Sequence, residues 1–322
     1  MATSRQYRGG ALVERDFELA DISTKTKSKG VVWYDLVDPS RDDLNVLAEE
    51  LNLHELAVED SLKGRQRPKL DYYDSHMFIT LYQAKFDRGT AEVALAELGI
   101  FVTKNAVVTV RKGRDFDMDA VQKRWDESAE LAGYGVAFLL WGILDVVIDG
   151  HFDIIQPLDE ELDSLEGLMF EAAQKDNSIQ KRSYELRKAL VLLRRVAVPL
   201  REVINPLLKH NSDMLVNDMM PYYQDLYDHT MRVADWTESL RDLVTTLLET
   251  HLTIQGNRLN QIMKQVTSWA AIIAVPTAIT GFYGQNVPYP GYMQADGFWW
   301  SVGLTLAISG ALFYVFRRRD WL

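Results

Sequence analysis

Between Gln265 and Leu322 the chain carries only five charged residues. Gln265–Ala295 has none, Asp296 is isolated, Gly297–Phe316 has none, and Arg317, Arg318, Arg319 and Asp320 close the run. A charge is costly in hydrocarbon. Two uncharged apolar stretches joined by a short polar loop therefore predict two membrane spans, 265–283 and 298–316, around an external loop at 284–297. Residues 317–322 form a basic tail. Basic residues stay on the cytoplasmic side, so the Arg triplet predicts a cell (inner) membrane protein with both termini cytoplasmic.

The net charge is −11, and the tail holds three Arg against two Asp, so the acidity lies upstream. An acidic soluble part argues against nucleic acid, whose phosphates need a basic face. It favours cations or basic partners, unless the acids serve solubility alone. Cysteine is absent, which excludes disulfides, thiolate metal sites and Cys nucleophiles and fits a cytosolic domain. Met1–Gly10 is polar and no apolar stretch follows, so no signal peptide is expected.

Residues 1–220 read as an α/β and helical cytoplasmic domain. Val31–Val37 predicts a strand, and Ser40 then caps a helix over 40–52. Met77–Tyr82, Ala94–Thr103 and Ala106–Arg111 are rich in β-branched and aromatic residues and predict strands, the last two a hairpin through Lys104-Asn105. From about 116 the pattern is helical. Leu158–Ala173 and Ile179–His210 predict a helical pair around Lys175-Asp176-Asn177-Ser178. Pro221 suits a helix start. A helix running from there to Tyr283 would span roughly 90 Å at ~1.5 Å per residue. Residues 221–264 would then form a cytoplasmic stalk that continues into the first span.

Asp228, Asp235, Asp242 and Glu249 fall at heptad spacing on this stalk. The same count reaches Gly256, Met263, Ala270 and Thr277, and the companion seam adds Asn260, Thr267, Ala274 and Gly281. The membrane half of the stripe is small or polar except at Met263. Trp269, Ile272, Ile273, Val275, Ile279 and Phe282 occupy the other faces. Such a stripe means either tight packing of small residues or a water-lined pore. Four carboxylates on the same line would repel in a tight coiled coil, but they suit a hydrated vestibule that attracts cations. One helix cannot enclose a pore, so a ring of copies is required. Met263 and Val266 would form an apolar collar that gates by dewetting or, alternatively, a packing contact.

Thr280-Gly281-Phe282-Tyr283-Gly284-Gln285-Asn286 ends the first span, after Asn257-Arg258-Leu259-Asn260-Gln261-Ile262-Met263-Lys264. With Pro221–Thr230, Gln66-Arg67-Pro68-Lys69 and the basic tail, the chain resembles the CorA family of divalent-metal transporters over about 31–322. The resemblance implies a funnel-shaped homopentamer. In it an α/β cytoplasmic domain is followed by long helices and a two-helix membrane hairpin in contact with lipid. It also implies a selectivity filter at Gly284, Gln285 and Asn286, where Gln285 replaces the family's Met. Magnesium sheds water reluctantly, so neutral amide oxygens that hydrogen-bond its hydration shell suit capture and release. Asn286 could equally be a helix C-cap. The resemblance further implies regulatory Mg²⁺ held by carboxylates at subunit boundaries, here Asp60 and Asp225 with Glu59 and Asp145. Oxygen ligands are the right type for this hard cation.

The expected activity is passive Mg²⁺ transport gated by cytoplasmic metal. The altered motif leaves Zn²⁺, Co²⁺ or Ni²⁺ transport of the ZntB type as the alternative, although softer metals prefer imidazole or sulfur. No close His pair supports a structural zinc site, though His229 and His251 lie on the stalk. A membrane-anchored sensor without transport would carry bulky residues along the whole seam. No Walker loop, G-x-S-x-G or H-E-x-x-H is present, so an enzyme is not expected.

Overall fold

The computed structural model describes residues 3–27, 30–87, 89, 92–170, 178–209, 216–285, 287–289 and 292–322. The chain divides into two compact units, Met1–Thr246 and Leu247–Leu322.

The first unit opens with β1 (Thr3–Arg8), β2 (Ala11–Arg15), α1 (Ile22–Lys27) and β3 (Val31–Val37). Next come α2 (Arg41–Leu51), α3 (Glu55–Lys63), β4 (Lys69–Tyr72), β5 (Met77–Asp87), β6 (Glu92–Val102) and β7 (Ala106–Arg111). The strands form one seven-stranded sheet in the order β2-β1-β3-β7-β6-β5-β4. Only β3 and β7 pair in parallel among these neighbours, with Tyr34 opposite Val108.

Alternation along the central strands serves two cores. Val32, Tyr34 and Leu36 of β3 join Ala106, Val108 and Val110 of β7 beneath Ile22, Leu44, Leu47, Ala57 and Val58 of the α1–α3 layer. Trp33 turns the other way and meets Trp125 edge to face at 4.9 Å. Trp125 belongs to α4 (Met118–Glu127), which leads into α5 (Val136–Phe170). Gly142 on α5 admits this ring, since a Cβ there would sit 2.4 Å from the Trp125 indole nitrogen. Ser40 caps α2 in a full capping box with Asp43, at the predicted place.

Two elements depart from the sequence expectation. The sheet begins at Thr3 rather than Val31, and three of the four covered positions of β1 are polar, with Tyr7 the aromatic exception. Arg5 is only 3% exposed. It reaches Asp126 at 2.7 Å and Gln122 at 2.9 Å on α4. Ser4 Oγ donates to the Phe17 carbonyl at 3.2 Å. The long helical pair also differs. Its first member starts at Val136, not Leu158, and holds Gly142, Gly150 and Pro157 in its interior. Its second member breaks near Pro199 into α6 (Ser178–Ala197) and α7 (Leu200–Lys209). The expected turn at Lys175-Asp176-Asn177 and the expected end at His210 lie outside the described residues.

The final helices are α8 (Met220–Tyr283, 64 residues) and α9 (Ala295–Arg318, 24 residues). α9 starts three residues before the predicted 298, with Asp296 in its first turn, where the helix dipole favours an acid. Both helices are long and apolar enough to cross a bilayer.

Candidate ion pathway and metal centre

Upstream of the boundary at Thr246, α8 buries Thr230, Val233, Thr237, Leu240 and Val244. These residues share one helical face at 100° per residue. Asp228, Asp235 and Asp242 lie on the opposite, exposed face, and Glu249 continues the line, also exposed. The acids are partly compensated, which the sequence did not reveal. Gln224 donates to Asp228 at 3.0 Å, and Arg241 bridges Asp242 at 3.0 Å and Glu238 at 2.7 Å.

Within Leu247–Leu322 the predicted stripe is open along its length. Asn260, Met263, Val266, Thr267, Ala270, Ala274, Thr277 and Gly281 are all exposed, Met263 at 62% and Val266 at 60%. The covered side of α8 includes Ser268, Ala271, Ile272, Val275, Pro276, Ile279 and Tyr283. By helical geometry that side is centred well over 90° from the stripe. Trp269 meets Phe313 of α9 at 6.5 Å. Of the bulky residues, Ile272, Val275 and Ile279 are partly covered, while Trp269, Ile273 and Phe282 stay exposed together with the small residues of the stripe. Thr277 Oγ1 donates to the Ile273 carbonyl at 3.2 Å, keeping acceptor capacity for a further donor.

At the outer end Gly284 N donates to the Thr280 carbonyl at 2.8 Å and Gln285 N to Phe282 at 3.2 Å. Gly284 and Gln285 are exposed, and Asn286 lies outside the described residues. Tyr289 Oη donates to the Tyr283 carbonyl at 2.8 Å, and the two rings meet edge to face at 5.2 Å. The sequence reading missed this clasp. Its only signal was the run of aromatics after the motif.

The four proposed regulatory carboxylates are dispersed. Glu59 pairs with Lys63 one turn on. Asp60 pairs with Lys69 at 2.6 Å and accepts from Gln66 at 3.3 Å. Asp145 pairs with Arg124, which also holds Asp149 at 2.8 Å. The Asp225 side chain is 66% exposed, with His229 Nε2 at 3.8 Å. Among the described residues no three His, Asp or Glu side chains group as metal ligands within the chain. The four therefore do not make a site in a single chain. Burial pushes the Asp145 carboxyl up to about 6; Arg124 opposes this, and Asp149 and Asp225 add to it. Asp149 and Arg124 were missed; the i,i+4 pair Asp145/Asp149 is legible only once α5 starts at Val136, and Arg124 comes from the separate helix α4. A cation would relieve that repulsion, and Asp225 points its oxygens outward, so oxygen-donor chemistry fits here if a second copy supplies further ligands.

Two buried histidines make acid stability predictable. Burial pulls His76 and His151 down to about 4 from 6.5, with the charge of His54 adding to the effect at His76 and a contact to the Tyr82 carbonyl opposing it at His151. Both stay neutral in the fold while the unfolded chain takes up protons below about pH 6.5. Their stabilisation is complete above that pH and is lost as pH falls towards 4. Asp145 runs the opposite way, because its raised folded pKa favours protonation from about 6 downward. The expected net loss between pH 6.5 and 4 is on the order of 3 kcal/mol. Urea denaturation across that range checks it, and His151→Gln should flatten the slope.

A sequence model described as "CorA-like Mg2+ transporter protein" matches residues 28–318. The "Cobalt/magnesium transport protein CorA" of Thermotoga maritima is 29% identical over 317 residues, covering 96% of this chain and 89% of that protein. The protein of the same name from Methanocaldococcus jannaschii is 25% identical over 295 residues, covering 91% of this chain and 92% of that one. The fold matches "The complete structure of CorA magnesium transporter from Methanocaldococcus jannaschii" with a TM-score of 0.79 at 23% identity, covering 100% of this chain and 99% of that one. With the match spanning both the α/β unit and the two apolar helices, the chain belongs to the CorA-like Mg²⁺ transporter family.

Proposed function

We propose that this chain is one subunit of a homo-oligomeric ring, a pentamer, that passes hydrated divalent cations, Mg²⁺ foremost, across the cell membrane. The observation that carries this reading is the open stripe from Asn260 to Gly281, turned away from the covered side of α8. Copies arranged with their stripes inward enclose a path lined by small side chains and hydroxyls. Such a lining suits an ion that keeps its water. The relatives' names join magnesium with cobalt, which supports a divalent cargo.

Gly284, Gln285 and Asn286 form the outer filter, with amide oxygens that accept from the ion's water shell. Asp228, Asp235, Asp242 and Glu249 raise the local cation concentration at the cytoplasmic end. Met263 and Val266 narrow the path, and a dry collar there closes it. A regulatory cation bridging Asp60 or Glu59 of one copy to Asp225 and Asp145 of the next would stabilise the closed arrangement by binding it more tightly than the open one. Both termini then face the cytoplasm, where Arg317–Arg319 meet anionic headgroups.

The test is flux of Mg²⁺ and Zn²⁺ into liposomes carrying the full chain. Mg²⁺ flux should exceed Zn²⁺ flux, and Asn286→Ala should lower it about tenfold, the effect of losing roughly one charge-assisted hydrogen bond per ion. Unchanged flux removes Asn286 from the filter. No flux of either metal leaves a membrane-anchored sensor as the better reading.

A further inference from the structure

Charge is segregated within one helix pair of the first unit. α5 carries eight acidic residues and no Lys or Arg. α6 carries six basic residues and one acid. Arg182 of α6 pairs with Glu161 of α5 at 2.6 Å. Asp145 and Asp149 are held by Arg124 of α4, and several of the other charges lie on outer faces. Asp153, Glu160, Asp163 and Glu166 are exposed on α5, opposite its buried Ile154, Ile155, Leu158 and Leu162. Lys181, Arg187, Lys188, Arg194 and Arg195 are exposed on α6, opposite its buried Leu186, Leu190 and Leu193.

The intrachain contacts of the α6 bases are sparse. Lys181 meets Glu185 at 3.7 Å and Lys188 meets Glu92 at 3.8 Å, both exposed pairs of little worth. Arg194 reaches Glu238 at 2.6 Å. Arg187 and Arg195 have no acidic partner among the described residues. Between the bases, Tyr184 is 68% and Val191 43% exposed, giving the face an apolar centre. On α5, burial together with the charges of Asp163 and Glu160 pushes the Asp159 carboxyl up, as expected where acids crowd.

We propose that the exposed face of α6 docks on the exposed face of α5 of a second copy of this chain, a head-to-tail contact held by charge pairing. The inference rests on the homo-oligomer reading above and specifies one of its interfaces. A ring-closing interface needs two different, complementary patches on every subunit, and these two faces supply them. An anionic bilayer would satisfy α6 alone and would repel the acids of α5. A second copy satisfies both. If the intermolecular pair keeps the antiparallel register of Arg182–Glu161, Lys188 comes within two residues of Asp153 and Lys181 within one of Asp163.

The native chain has no cysteine, so single-cysteine variants report cleanly. Asp153→Cys and Lys188→Cys, co-expressed as full-length chains, should give a disulfide-linked dimer on mild oxidation in detergent. Neither variant alone should do so. In parallel, Lys181→Glu with Lys188→Glu should raise the free-subunit fraction about tenfold at low salt, and adding Asp153→Lys with Asp163→Lys should restore the oligomer. An intact oligomer with no mixed cross-link and no response to charge reversal overturns the interface but not the homo-oligomer. Loss of binding to phosphatidylglycerol vesicles in the α6 variant, without rescue by the swap, assigns the face to lipid and also overturns it. A wild-type chain that stays monomeric at all concentrations overturns both readings.

Discussion

Ala274→Leu is expected to reduce Mg²⁺ flux into liposomes to background, a loss of roughly a hundredfold or more, while leaving the protein folded and assembled. The residue is exposed on the stripe of α8 and away from the side covered within the chain. The added isobutyl group therefore clashes with nothing in its own subunit. In a ring it appears once per subunit at the same height, where it fills the path and replaces water with hydrocarbon. A hydrated divalent ion cannot cross such a plug without shedding water, which Mg²⁺ does reluctantly. The control is Ile279→Leu on the covered side of α8, which preserves volume and should leave flux unchanged. Blocked flux in both variants, or in neither, with an intact oligomer, would remove the stripe from the ion path.

The second large effect concerns the α/β unit. Arg111→Met is expected to destabilise it by about 3–5 kcal/mol, the cost of leaving a buried charge without its partner. Asp35 is fully buried on β3. Arg111 of β7 clamps it through Nε at 3.0 Å and Nη2 at 2.8 Å. Thr109 Oγ1 donates to it at 2.7 Å and accepts from Trp33 Nε1 at 3.1 Å. The network ties the two parallel strands together on the face where Trp33 meets α4. Asp35→Asn combined with Arg111→Met should recover part of the loss, because the charge is then absent rather than stranded. Thermal or urea unfolding of the full chain, followed by tryptophan fluorescence, measures both. A single variant that unfolds like the wild type would mean the pair contributes nothing.

Legibility from sequence varied with the physical source of each signal. The central strands were readable because β3 and β7 are covered on both faces and so are nearly continuous in apolar residues. The α2 cap was readable because Ser40 and Asp43 satisfy each other locally. β1 was not, because three of its four covered positions are Ser4, Arg5 and Gln6, and the partners of Arg5 lie as far away as Gln122 and Asp126. The start of α5 was hidden by Gly142, Gly150 and Pro157, tolerated there by packing that a local pattern cannot express. Among site residues, the stripe follows from periodicity alone; its members are exposed, as is every residue of 252–267 around its first half. The charge neighbours of Asp145 required three helices, α4, α5 and α8, to be brought together, which no spacing in the sequence encodes.

Pro276 lies inside α8 and has no N–H to offer the Ile272 carbonyl, so the ladder lacks a rung there. Bending a helix is cheapest where a rung is missing. Tyr283 ends the helix seven residues further on, roughly 10 Å at ~1.5 Å each. Mechanically, the missing rung is a compliant joint just below the tip of α8, so the last two turns can pivot on the segment that precedes Pro276.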